Sequence, residues 1–140
     1  MRSDGAKPRV LIVDDNALSS RVMTLALRAH GFSCFGVASE ADALKYIDAF
    51  ETDVVILEWA DRAERRVDEA TRIRVHARAA GRSVAIIVVT QEFERPSNEV
   101  LGVIDGYFTK PVVLETLEQA IVRVGNYLAG EHRGALAPLE

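Results

Sequence analysis

The sequence predicts an α/β fold, a single parallel β-sheet covered by helices on both faces, with five strands alternating with five helices. Three observations carry this prediction. Asp53 to Ala60, Asp-Val-Val-Ile-Leu-Glu-Trp-Ala, is a short apolar run that ends in the carboxylate of Glu58. Val10-Leu11-Ile12-Val13 and Val84 to Val89 are runs of the same kind. Uninterrupted apolar runs this short suit strands buried on both faces, whereas half-exposed strands alternate. The segments between them carry helical spacing with start and stop residues, and right-handed crossovers leave few topologies for that order.

In chain order, Arg9 to Val13 is the first strand and ends in Asp14-Asp15-Asn16, where Asn16 or Asp15 can cap the next helix. Ala17 to His30 carries Leu18, Val22, Leu25 and Ala29 at helical spacing, and Gly31 stops it. Phe32 to Ala38 is the second strand. Ser39 and Asp42 form a helix start signal for the segment through Phe50, whose apolar residues are Ala43, Leu44, Ile47 and Phe50. The third strand is the run into Glu58, and an arginine-rich helix follows, ending near Ala80-Gly81. Val84 to Val89 closes on Thr90. Pro96-Ser97 starts a short helix carrying Val100, Leu101 and Ile104, and Gly106 to Thr109 is the last strand, closing on Lys110-Pro111. Leu114, Leu117, Ile121, Val124 and Leu128 mark the final helix, which Gly130 is expected to stop.

A chain of 140 residues fits one domain, and one of this size buries roughly two thirds of its unfolded surface. We place that domain at residues 9–130, after an extended or disordered N-terminus at 1–8 and before a tail or the start of a linker at 131–140. Cys34 is the single cysteine, which suits a reducing compartment. No stretch approaches the ~20 apolar residues of a membrane span, and Met1 to Arg9 lacks the apolar centre of a signal peptide. The expectation is a soluble cytoplasmic protein without a membrane partner. A net charge of −4 argues against direct nucleic-acid binding, which draws on clustered positive charge. The local exception is Arg62, Arg65, Arg66, Arg72, Arg74, Arg78 and Arg82, interleaved with Asp61, Glu64, Asp68 and Glu69; the reading is a solvated helix face laced by i,i+4 pairs such as Asp61 with Arg65.

In a parallel sheet the carboxyl ends of the strands open onto the ligand crevice. Drawn this way, Asp14, Asp15, Glu58, Thr90 and Lys110 share one rim. Carboxylates crowded there repel one another unless a hard cation or an ammonium compensates. Mg²⁺ accepts a few carboxylates and keeps several waters, so it suits an open acidic rim; Zn²⁺ would want a Cys and His cluster that the sequence lacks. Lys110 supplies a fixed positive charge and Thr90 a hydroxyl donor.

These residues, Val10-Leu11-Ile12-Val13-Asp14-Asp15-Asn16, the strand into Glu58, Val88-Val89-Thr90 and Gly106-Tyr107-Phe108-Thr109-Lys110-Pro111, make the chain resemble the receiver domain of two-component response regulators from about Arg9 to Gly130. The resemblance implies a three-layer flavodoxin-like (βα)5 sandwich with strand order 2-1-3-4-5. It implies a Mg²⁺ pocket built from Asp14, Asp15, Glu58 and the backbone carbonyl of Ala60, with Lys110 contacting the phosphoryl group. It further implies a cis bond at Lys110-Pro111 and a switch pair, Thr90 and Tyr107. The partner it implies is a sensor histidine kinase or another signalling protein. A competing class is a pure interaction or dimerisation module, a homodimer through the last helix and the short one before it, where exposed apolar residues would be the sign.

The chain departs from the family pattern in three places. Glu58 stands where the family carries its phosphoacceptor aspartate, one methylene and ~1.5 Å of bond length longer. Misplacement by about 1 Å can cost on the order of 100-fold in rate. Trp59-Ala60-Asp61-Arg62-Ala63 lacks the family's usual Met-Pro and Gly, and Gln91 follows Thr90 where a small residue is usual. By resemblance Ala60 and Glu92 occupy positions that influence dephosphorylation. The preferred reading is an atypical receiver that signals independently of phosphorylation and is not an enzyme. One alternative is a phosphorylatable Mg²⁺-dependent switch. A second is a small Mg²⁺-dependent phosphatase, although such enzymes of the haloacid dehalogenase group use Asp-x-Asp where this chain has Asp14-Asp15-Asn16. A nucleotide-binding module is disfavoured, since no glycine-rich loop follows Val13.

Overall fold

Apolar runs become strands and periodic segments become helices in the order expected: β1 (Arg9–Val13), α1 (Ala17–Ala29), β2 (Ser33–Val37), α2 (Glu40–Ala49), β3 (Val54–Trp59), α3 (Val67–Ala79), β4 (Ala85–Thr90), α4 (Asn98–Leu101), β5 (Gly106–Thr109) and α5 (Leu114–Gly134). The structure is a computed structural model and describes residues 7–59, 67–91 and 96–134. The five strands form one parallel sheet of order β2-β1-β3-β4-β5, the flavodoxin-like (βα)5 arrangement.

Strand alternation divides the core in two. Val10 and Ile12 of β1 and Val54 and Ile56 of β3 pack with Leu27 of α1 and Leu117 and Ile121 of α5. Leu11, Val55, Leu57 and Trp59 point the other way, against Ile47 of α2, Ile73 of α3 and Val100 of α4. Both faces of β3 and β4 are thereby covered, and every residue of these two strands is buried, as their uninterrupted apolar runs predict.

Local signals place the helix starts. Asn16 caps α1 by accepting from the Ser19 amide, and Ser39 caps α2 by accepting from the Asp42 amide at 3.1 Å. Gly31, with φ of +94°, ends the turn after α1 in a conformation that side chains other than glycine seldom adopt.

Four expectations need correction. The α1 stripe does not face the core: Leu18, Val22 and Leu25 are 73%, 61% and 51% exposed, while Thr24 and Leu27 are buried. Helical spacing marks a face but cannot say which way it turns. The α4 helix is a single turn that ends before Ile104, since Gly102 follows as its cap and a short helix gains little from propagation. The α5 helix runs through Gly130 to Gly134, because one interior glycine costs only about 1 kcal/mol against alanine. Arg72, Arg74 and Arg82 of the α3 region reach other elements, beyond the i,i+4 attraction between Asp68 and Arg72. Arg72 makes a bidentate pair with Glu40 of α2, and Arg74 bonds Val84 O, Val103 O and Asp105. Arg82, just after α3, bonds the carbonyls of Ile47 and Phe50. Arg62, Arg65, Arg66, Asp61 and Glu64 lie outside the described residues.

Candidate functional site at the carboxyl rim of the sheet

The parallel register brings the rim together. Val13 of β1 is level with Leu57 of β3, so the next residues along, Asp14 and Glu58, stand side by side on the α1 and α5 face. Glu58 is level with Val89, and Thr90 is level with Thr109, which precedes Lys110. The Lys110 amide donates to the Thr90 carbonyl at 2.8 Å, extending the ladder one residue past β5. The Lys110-Pro111 bond is cis, as the resemblance implied.

Lys110 and Glu58 form the central contact of the site: Nζ lies 2.8 Å from Glu58 Oε1. Glu58 is buried and Lys110 is partly exposed, so the pair sits at the boundary of core and solvent. Lys110 Nζ also approaches Ser19 Oγ of α1 at 3.5 Å. Burial pushes the Glu58 carboxyl above the usual carboxylate range, and the Asp14 charge adds to that; hydrogen bonding and charge from Lys110 oppose it.

Asp14 is buried, and its Oδ1 accepts from the Asn16 amide at 2.9 Å. Its Oδ2 and Glu58 Oε2 are buried without a hydrogen-bond partner. Two such carboxylate oxygens are hard donors of the kind Mg²⁺ takes, so the donor chemistry fits a divalent cation. Among the described residues, however, no three His, Cys, Asp or Glu side chains are grouped as a ready-made metal site. Asp15 is exposed, and Ala60, whose carbonyl the resemblance placed in the pocket, lies outside the described residues, as does Glu92. Gln91 is exposed.

Thr90 and Tyr107 share the opposite face. Tyr107 pairs in register with Val88, two residues before Thr90, and packs with the α2, α3 and α4 core cluster, while Thr90 is fully buried. The two hydroxyl-bearing residues are thus diagonal neighbours across adjacent strands, within reach of one another's space.

Sequence reasoning gave no role to four residues at or near the site. Ser19 lies in the first turn of the helix that Asn16 caps, so the cap itself was the signal placing it beside the rim. Glu69, buried on α3, accepts the Trp59 indole N–H, and no local pattern announces that bond. Leu18 and Val22, read as ordinary helix periodicity, line a cleft of ≈ 550 Å³ between α1 and the start of α5, with Glu58 and Lys110 at its end.

A comparison with protein families matches residues 10–122 to the family described as response regulator receiver domain. The chain belongs to the receiver-domain family. Among solved structures, a CheY-like receiver domain from Methylobacillus flagellatus superposes with a TM-score of 0.71 at 20% identity, covering 84% of this chain and 98% of the other. The signal receiver domain of a modulated diguanylate cyclase from Desulfovibrio desulfuricans G20 superposes at 0.73 with 23% identity, over 89% and 98% of the two chains. A co-crystal of the Saccharomyces cerevisiae histidine phosphotransfer protein Ypd1 with the receiver domain of the response regulator Ssk1 gives 0.70 at 21% identity, over 88% and 93%. At these identities the structures attest the receiver fold. A sequence comparison with curated proteins returned no match. The molecule is thus a receiver-type signalling module, and no helix among its described residues is long and apolar enough to cross a membrane.

Proposed function

We propose that this receiver is atypical and signals without being phosphorylated, because Glu58 occupies the phosphoacceptor position. One observation carries the reading: Glu58 Oε1 lies 2.8 Å from Lys110 Nζ, the ammonium that the family resemblance assigns to the phosphoryl group. An incoming phosphodonor would have to break that contact, and the longer side chain misplaces the attacking oxygen. The carboxylate stands in for part of the phosphoryl charge, one unit against a phosphoryl group's ≈ −1.5 to −2, so it holds Lys110 without matching the full set of contacts. In this reading Thr90 and Tyr107 remain the switch pair, biased by protein contact instead of by phosphate.

A second reading, a working Mg²⁺-dependent phosphoswitch, is favoured by the buried partnerless oxygens Asp14 Oδ2 and Glu58 Oε2. Asp14, Asp15 and Glu58, with the Ala60 carbonyl, would hold the ion. Mg²⁺, when bound, supplies positive charge that relieves repulsion between these acids. Catalysis beyond self-phosphorylation is not part of either reading.

The exposed apolar face of α1 supports a protein partner. Leu18 and Val22 border the cleft that leads to Glu58 and Lys110, and solvent exposure of such a contiguous stripe marks interaction surfaces. A histidine phosphotransfer or histidine-kinase domain is the partner class we assign to it, in line with the yeast receiver crystallised with Ypd1. We also propose a homodimer through the last helices, where Leu101 and Tyr127 are exposed.

Intact-mass spectrometry after incubation with acetyl phosphate and Mg²⁺ tests the proposal. The expected result is no phosphoryl adduct on the native chain and one adduct on Glu58→Asp. Stoichiometric phosphorylation of the native chain within the pocket would overturn it and establish the second reading.

A further inference from the structure

We propose that the free edge of β2 is a docking site for an extended peptide segment in which acidic and apolar residues alternate. The site lies on the opposite side of α1 from the cleft that ends at Glu58 and Lys110, although Asp14 of the rim also lines its groove. β2 ends the sheet and, among the described residues, pairs only with β1. Its sequence, Ser-Cys-Phe-Gly-Val, carries none of the lysines, prolines or inward charges that natural edge strands use to repel another strand.

Backbone direction is legible from two bonds. The Asp14 amide donates to Val37 O, so Val37, and by alternation Phe35 and Ser33, direct their backbone groups inward to β1. Cys34 and Gly36 therefore direct theirs outward. In agreement, Arg28 Nε of α1 donates to Cys34 O at 2.8 Å from outside the sheet. The Cys34 carbonyl is taken by Arg28, so a strand laid along this edge would bond to the Cys34 amide and to the amide and carbonyl of Gly36.

The two faces beside that edge differ in chemistry. On the α1 side, a groove of ≈ 410 Å³ is floored by Gly36 and walled by Ser20, Arg21, Thr24 and Arg28. Gly36 keeps it close-fitting, since a Cβ there would come within 2.5 Å of Ser20 Oγ. Arg21 and Arg28 are both exposed. On the α2 side, Phe35 stacks on Tyr46 with ring centroids 5.0 Å apart, and Tyr46 meets Phe50 at 4.8 Å. Phe35 and Phe50 remain 45% and 56% exposed, so this aromatic shelf is open to solvent.

An added strand alternates its side chains as β2 does. Residues level with Cys34 and Gly36 fall on the arginine side, and the residue level with Phe35 falls on the aromatic shelf. Charge complementarity therefore selects an acidic–apolar–acidic core in the partner segment.

The test uses the whole chain with three peptides: Ac-Ser-Glu-Leu-Glu-Val-Glu-NH2, its lysine counterpart Ac-Ser-Lys-Leu-Lys-Val-Lys-NH2, and the shuffled Ac-Leu-Val-Ser-Glu-Glu-Glu-NH2. Amide hydrogen exchange is followed by NMR at Cys34 and Gly36, with binding from the shifts of the same signals. The acidic alternating peptide is expected to slow exchange at these two amides saturably and to bind about tenfold more tightly than either control, the margin that 1.4 kcal/mol confers. Arg21→Glu, at an exposed position, should remove that margin and leave the remaining amide spectrum in place; Phe35→Ser, which also removes the stack on Tyr46, should remove it with further shifts confined to β2 and α2. Equal response to the shuffled peptide, or no protection at Cys34 and Gly36, overturns the proposal. Protection that appears without peptide as protein concentration rises assigns the edge to a second copy of the chain and also overturns it.

Discussion

Trp59 donates its indole N–H to Glu69 Oε1 at 3.1 Å, and both residues are buried. The bond joins the residue after Glu58 to the first turn of α3. Removing the acceptor leaves a buried donor unsatisfied, so Glu69→Ala should destabilise the fold by about 1–3 kcal/mol. Glu69→Gln, which keeps an acceptor oxygen, should lose less. Urea unfolding followed by Trp59 fluorescence checks both.

Trp59 points into the α2, α3 and α4 face while Glu58 points to the α1 and α5 face. Addition of Mg²⁺ should therefore change Trp59 emission weakly. A strong saturable quench at low millimolar Mg²⁺ would show that the rim and the indole are coupled and that the site is open to the ion.

The Glu58 carboxyl is raised in the folded state, chiefly by burial. A raised acid binds its proton more readily folded than unfolded, so its contribution to stability is present at low pH and is lost as pH rises from the ordinary value of 4.5 through the folded value. The difference in thermal midpoint between the native chain and Glu58→Gln should shift against the native chain as pH rises through that window. A difference that moves the other way would mean that Lys110 outweighs burial.

Burial likewise pushes the Cys34 thiol up to about 11, against smaller opposing effects of its bond to Thr24 and the charge of Arg28. The thiolate is the reactive form, so Cys34 should resist a disulfide reagent at pH 8 in the folded chain and react promptly in denaturant. Fast labelling under native conditions would show that β2 opens.

Arg74 reaches two carbonyls and Asp105 from α3. Arg74→Ala should cost about 1–3 kcal/mol, since it strands acceptors at the β4 and β5 junction. By contrast Leu18→Lys, on an exposed position of α1, should stay within about 0.5 kcal/mol of the native chain. Chemical denaturation of the two variants distinguishes an arginine that holds the fold from an apolar residue kept free for contact.

Much of the architecture was legible because it depends on neighbours in sequence. Val84 to Val89 and the run into Glu58 had the short, uninterrupted apolar character of buried strands, and Asn16 and Ser39 announced their helices by residue type and spacing. The rim was legible for the same reason, since parallel strands that each end in a polar group must present those groups at one edge. Gly130 misled because stop signals are weak, statistical preferences that a long amphipathic helix overrides.

By itself, then, the sequence determined the elements, their order and the convergence of Asp14, Glu58, Thr90 and Lys110 on one edge, all of which follow from periodicity and strand polarity. Only the tertiary structure decided that Leu18 and Val22 face solvent, that Arg72 and Arg74 tie α3 to α2 and to the segment before β5, and that Lys110 meets Glu58 while Asp15 turns outward. Those outcomes rest on which partner lies across a gap between elements distant in the chain, and local spacing carries no record of that distance.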